Sequence, residues 1–133
     1  GEPIAGESGE LVLVRDIRFR SMCEHHLLPF LGVAHVAYAP GEKIVGLGRL
    51  AAVVHALASR PQLQERLTDE IADAILQALA PAGVLVVIDA VHGCLSARGP
   101  QQTESSTVTV SARGTLAEPA ARAELMGLIG GSA

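Results

Sequence analysis

Two short runs concentrate the side chains able to do chemistry. Cys23-Glu24-His25-His26 follows an alternating apolar stretch, and His92-Gly93-Cys94 follows another. Cys23 and His26 are three apart, a spacing at which both can meet one metal ion in a turn. His92 and Cys94 are two apart, so on a strand they point to the same face. Thiolate together with imidazole favours Zn2+ over Mg2+ or Ca2+. The chain has 2 Cys and 5 His, which excludes a closed site of four Cys. Two Cys with one His make three protein ligands and leave a fourth position for water, the pattern of a catalytic zinc. Two packed thiols beside a His-rich turn are one alternative. A Cys23–Cys94 disulfide is another, disfavoured in a reducing compartment. If Cys23, His26 and Cys94 hold the metal, His25 and His92 remain free beside it and suit hydrolysis with proton transfer. His35 alternates within a strand and reads as structural. His55 lies on a helix away from the cluster and reads as solvated.

Gln64-Glu65-Arg66 opens a second helical pattern. A carboxylate in a first helical turn is favoured by the macrodipole. It can equally accept paired N–H donors such as the guanidine edge of a guanine, and spacing alone does not choose. Arg98-Gly99 follows Cys94 closely, and an Arg there can grip phosphate bidentately or simply be solvated.

These residues need elements to position them. Leu11 to Arg20 alternates as a strand, and Leu31 to Ala39 forms a second that ends at Pro40-Gly41. Leu47, Leu50, Ala51, Val54, Leu57 and Ala58 recur at helical spacing. Pro61 suits the first turn of the next helix, whose stripe is Leu63, Leu67, Ile71, Ile75 and Leu79. Gly83 to Val91 is the most apolar run and reads as a central strand. Ser105 to Ala112 alternates Thr and Val, and Pro119 to Ile129 is a short terminal helix. The order β-β-α-α-β-β-α places two hairpins around a helix pair. It implies an α+β domain with an antiparallel sheet and helices on one face. Residues 1–10 read as a loose terminus and 11–133 as a single domain; Ser96 to Glu104 is the one linker-like stretch inside it.

Composition narrows the classes. At 133 residues the chain fits one domain with a real core. Hydrophobic residues are 49% and aromatic residues 2%, so that core is aliphatic. A net charge of −4 argues against a nucleic-acid grip, and Phe19, Phe30 and Tyr38 offer no base-stacking platform. No apolar run approaches the ~20 residues of a membrane span, and no signal-peptide pattern opens the chain. The expectation is a soluble, cytoplasmic protein with no membrane partner.

The sequence resembles the GTP cyclohydrolase I family. The matching text is Ser21-Met-Cys-Glu-His-His-Leu-Leu-Pro-Phe30, Arg60-Pro-Gln-Leu-Gln-Glu-Arg-Leu-Thr68, and Ile88-Asp-Ala-Val-His-Gly-Cys94 with Arg98-Gly99. Three separate motifs in the right order make the likeness specific, and it extends from about Leu11 to Ile129. It implies a tunnelling fold whose subunit sheets join edge to edge, in a homodecamer of two stacked pentamers with sites between subunits. By resemblance Cys23, His26 and Cys94 are zinc ligands, and His25 and His92 are the catalytic histidines. Gln64 and Glu65 recognise the guanine ring, Arg98 contacts phosphate, and Leu47 and Arg49 belong to the substrate site. The implied reaction is hydrolysis at C8 of GTP with release of formate, giving 7,8-dihydroneopterin triphosphate.

The departures cluster at the phosphate end. The family's Gly-Leu-Ser-Lys, with an Arg three positions on, is here Gly46-Leu47-Gly48-Arg49, with Ala52 where that Arg belongs. The Ser hydroxyl is absent at Gly48, Arg49 keeps the charge of Lys but not its shape, and Ala52 carries none. The family's leading helical segment has no counterpart upstream of Leu11. Each lost charge-assisted contact typically costs ~1.5–3 kcal/mol. Two other readings follow: a divergent paralogue opening the ring of a guanine compound without a triphosphate, and a non-catalytic subunit of an assembly.

Overall fold

The computed structural model describes residues 10–43, 46–92 and 105–130. Four antiparallel strands form one sheet in the order β1-β2-β3-β4: β1 Val12–Met22, β2 Pro29–Ala39, β3 Gly83–His92 and β4 Thr107–Gly114. Between β2 and β3 run helices α1 (Leu47–Ala58) and α2 (Gln64–Leu79). A 3-10 turn at Thr115–Ala117 leads into α3, Pro119–Gly130. The element order and the antiparallel sheet are those read from the sequence. The linker-like stretch 96–104 lies outside the described residues.

A β-bulge decides which side chains of β1 reach the core. Pairing runs Val12↔Tyr38 and Val14↔Val36, then resumes at Ile17↔Ala34 and Phe19↔Gly32. Asp16 sits in the bulge at φ 64. The extra residue shifts the alternation by one. Val12, Val14, Ile17, Phe19 and Ser21 thus share one face, although their numbers change from even to odd. Phe30, Ala34, Val36 and Tyr38 of β2 and Val84, Val86, Ile88 and Ala90 of β3 continue that face, and α1 and α2 cover it with Leu50, Val54, Leu67, Ile71 and Ile75. Phe30 and Tyr38 are fully buried there. Each such side chain contributes roughly 1.5–3 kcal/mol by leaving water.

The opposite face is also covered, where the sequence pattern placed helices on one face. Ala37, Leu85 and Val87 pack against Leu116, Leu125 and Ile129 of the 3-10 turn and α3. β3 is apolar at almost every position because it is buried on both faces.

The second helix begins later than Pro61 suggested. Gln62 donates its N–H to the Met22 carbonyl, and its own carbonyl accepts from Glu24 N–H, both at 2.9 Å. Those bonds tie its backbone to the Cys23 turn and hold residues 61–63 extended. The helix starts at Gln64, with Leu63 as an extended N-cap. Among the described residues no helix is long and apolar enough to cross a membrane.

Candidate active site

The first chemical run sits where β1 ends. Cys23 N–H donates to the Leu28 carbonyl at 2.8 Å, and Leu27 N–H donates to the Cys23 carbonyl at 2.7 Å. Leu27 takes a left-handed φ of 55 to close this single turn. A non-Gly residue there costs about 1–2 kcal/mol, held by the surrounding bonds. The turn is pinned from outside by the bridge between Cys23 and Gln62. Glu24 is paired with Arg66 of α2, whose Nε donates to Gln62 Oε1 at 3.2 Å. Gln62 Nε2 donates onward to Glu70 Oε1 at 3.0 Å.

Within this turn Cys23 Sγ lies 3.7 Å from His26 Nδ1. Two ligands of a tetrahedral zinc, one sulfur and one nitrogen, stand about 3.6 Å apart. The separation of the pair matches that spacing. Cys23 is half-buried against the core, while His25 and His26 are exposed, with ring centroids 6.4 Å apart. Cys94, the third expected ligand, lies outside the described residues.

His92 ends β3 and is clamped. It pairs with Phe30, which pairs in turn with Ser21, two residues before Cys23. The imidazole stacks on Phe30 at 4.9 Å with the planes 13° apart, and Phe19 meets Phe30 edge-on at 6.0 Å. His92 Nε2 lies 3.0 Å from Gln64 Oε1. The buried Gln64 amide nitrogen donates to the Thr107 carbonyl at 2.9 Å, to Thr109 Oγ1 at 3.2 Å and, more weakly, to the Ile88 carbonyl at 3.4 Å. Gln64, which the family resemblance assigns to guanine recognition, spends its amide inside the protein.

Its neighbour faces outward. Glu65 is exposed in the first turn of α2, and its carboxylate has no partner among the described residues. Arg49 is likewise exposed in the first turn of α1. Leu47 opens that helix, its side chain outside the described residues, as is Arg98 altogether. His35 is structural, as its alternation indicated: it is 5% exposed and its Nδ1 accepts the N–H of Asp16 at 3.1 Å. Burial holds its imidazole below the ordinary value, against the opposing pull of Asp16 and Asp89. His55 is exposed but not merely solvated, since its Nε2 meets the Arg18 carbonyl at 2.8 Å and ties α1 to β1. Sequence reading missed Gln62, Thr68 and Thr109. The period-2 Thr107 and Thr109, and Thr68 four residues after Gln64, were the available signals.

Comparison with known proteins follows the same outline. The family model described as GTP cyclohydrolase I matches residues 2–130. The GTP cyclohydrolase 1 of Leifsonia xyli subsp. xyli is 61% identical over 132 residues, covering 98% of this chain and 69% of the relative. That of Carboxydothermus hydrogenoformans is 58% identical over 126 residues, 93% of this chain and 66% of the relative. The chain thus spans about two thirds of the length of these relatives. Among solved structures, an apo archaeosine synthase QueF-Like protein superposes with a TM-score of 0.62 at 19% identity, over 78% of this chain and 93% of that one. Escherichia coli dihydroneopterin aldolase in complex with neopterin gives 0.61 at 14% identity, over 79% and 99%. At such identities the likeness concerns the fold alone, and the fold is the tunnelling fold.

Proposed function

The chain belongs to the GTP cyclohydrolase I family, and from that premise we propose that it hydrolyses the guanine ring of GTP at C8, releases formate and yields 7,8-dihydroneopterin triphosphate. The observation that carries the proposal is the pinned Cys23–His26 pair, 3.7 Å apart, on the same end of the sheet as the clamped His92. A core thiol beside a solvated histidine would need neither the Gln62 bridge nor the left-handed Leu27.

Cys23, His26 and Cys94 would hold a zinc ion. Bound there, zinc would acidify the water that attacks C8. His92 holds a proton beside the purine and delivers it to the imidazole-ring nitrogen as the bond to C8 breaks. His25, exposed next to His26, is the second proton carrier. Glu65 accepts the paired N–H donors of the guanine edge, and its place in the first turn of α2 stabilises its charge. Arg49 and Arg98 meet the phosphates, with Leu47 beside them.

Among the described residues β1 and β4 are the unpaired edges of the sheet, which supports assembly of several copies edge to edge, toward the decamer of two pentamers. Met22, Leu27, Leu28 and Leu31 are exposed apolar residues around the metal turn, and contact with a second subunit would cover them. A cytoplasmic location would keep both thiols reduced.

Gly48 favours one second reading, a guanine substrate without a triphosphate. Its Cα faces open space at the start of α1, with nothing within 4 Å of an added Cβ. Turnover of GTP, GMP and guanosine, followed as pterin fluorescence after oxidation and as formate, separates the two. A strong GTP preference supports the main proposal. Equal turnover of GMP supports the second reading, and zinc binding without turnover of any purine would leave only a non-catalytic subunit.

A further inference from the structure

Hydrogen bonds around Gln64 can run in only one direction. Thr68 Oγ1 lies 2.8 Å from the Gln64 carbonyl, which can only accept, so the Thr68 hydroxyl donates there. Thr68 Oγ1 is also 2.7 Å from Thr109 Oγ1, and its single hydrogen is already spent, so Thr109 donates to Thr68. Thr109 then has only lone pairs left for Gln64, 3.2 Å away. The Thr107 carbonyl makes the same demand at 2.9 Å. Both require the amide NH2 group of Gln64 to face β4, which turns Oε1 toward His92. An amide oxygen cannot donate, so His92 must place its hydrogen on Nε2. Its Nδ1 has no partner among the described residues.

From this ring we infer that Thr68 and Thr109 are positioning residues for His92: through the Gln64 amide they fix the hydrogen on Nε2 and leave Nδ1 as the nitrogen that takes up a proton and passes it to the purine. The inference rests on the proposed reaction for its meaning and on hydrogen-bond logic for its content. Without the Thr109 hydroxyl, the amide NH2 group is held toward β4 by the Thr107 and Ile88 carbonyls alone and turns over more readily. A turned amide presents its NH2 group to His92 and favours the tautomer with hydrogen on Nδ1. Phe30 fixes the plane of the imidazole by stacking, but stacking does not distinguish the two nitrogens. The ring supplies that distinction. Thr68 is buried at the foot of α2 and Thr109 half-buried on β4. Supporting partners of this kind typically change activity by about 10–100-fold when removed.

Neutron diffraction from deuterium-exchanged crystals of the intact protein locates the imidazole and amide hydrogens directly. The expected result is deuterium on His92 Nε2 and the Gln64 ND2 group facing Thr107 and Thr109. A hydrogen on Nδ1 with Nε2 bare would overturn the inference, whatever the protein's activity. The variant Thr109→Val keeps the shape and removes the hydroxyl. It should lower kcat by about 10–100-fold with KM for GTP nearly unchanged, and Thr109→Ser should restore it. A folded Thr109→Val protein with unchanged kcat would also overturn the inference. The wild-type tautomer needs no variant, so a Thr109→Val chain that fails to fold does not shelter it. Absence of GTP turnover in the wild type strikes the proposed function instead, and leaves the tautomer assignment to the diffraction result.

Discussion

The end of this molecule that carries Cys23, His26 and His92 and the start of α1 are built to different standards. At the first, Cys23 and His92 are held from several sides. The Cys23 turn is closed by two backbone bonds and tied to Gln62 by two more. His92 is stacked on Phe30 and bonded to Gln64, whose amide is itself committed to β4. At the start of α1, Gly46 is an N-cap without a side-chain bond and Gly48 faces open space. Lys43 and Arg49 there rim a groove floored by Leu50, Val53, Ile75 and Leu79. The difference is what the proposed function asks of each end. Proton transfer requires hydrogen-bond distances and a defined tautomer. Phosphate attraction works through charge over several ångströms and tolerates loose side chains.

The largest effects should therefore come from the rigid end. His92→Asn is expected to lower kcat by about 10²–10⁴-fold while the protein still binds its metal, as steady-state kinetics with metal analysis would reveal. Phe30→Ala removes the stacking partner and a fully buried ring. Thermal or urea unfolding should register a loss of about 3–5 kcal/mol, a large share of a typical domain's stability. Next comes Glu65→Gln, which keeps the fold because the side chain is exposed. It should raise KM for GTP by about 10–100-fold, the equivalent of one lost charge-assisted bond. An unchanged KM would mean that Glu65 does not meet the guanine.

The loose end should respond mildly and in the other direction. Gly48→Ser adds a hydroxyl into open space on a helix. It should lower KM for GTP by up to about tenfold with no effect on GMP. A GMP effect of equal size would show that the change acts on the helix and not on the phosphates. The smallest effect lies on the far face of the sheet. His35 is held neutral by burial and accepts Asp16 N–H in the bulge. The unfolded chain takes up a proton near its ordinary value of 6.5, the folded one only at lower pH. The His35 contribution is thus complete above about pH 6.5 and declines as the pH falls below it. In His35→Gln, melting temperatures measured between pH 5 and 8 should show a weaker loss on the acid side.

What the sequence discloses and what it hides also divides along physical lines. Strands, helices and the two Cys/His runs are legible because periodicity and spacing are local properties. The bulge at Asp16 is not, because it is visible only through pairing with β2, where Val14 and Ile17 meet Val36 and Ala34. The late start of α2 has the same origin: Pro61 permits a helix, but Gln62 is claimed by a turn 39 residues earlier in the chain. Gln64 is the sharpest case. The family resemblance assigns it to guanine recognition. The fold turns it inward onto His92, 28 residues away, while Glu65 faces outward.

The central claim is that this domain opens the guanine ring at C8, and carbon-13 at that position follows it directly. The zinc-loaded protein, incubated with GTP labelled at C8, should convert the purine C8 signal into that of formate in the NMR spectrum. A His92→Asn protein in parallel should do so at least about a hundredfold more slowly. Labelled GTP left intact by the zinc-loaded protein, in its assembled form, would contradict the account.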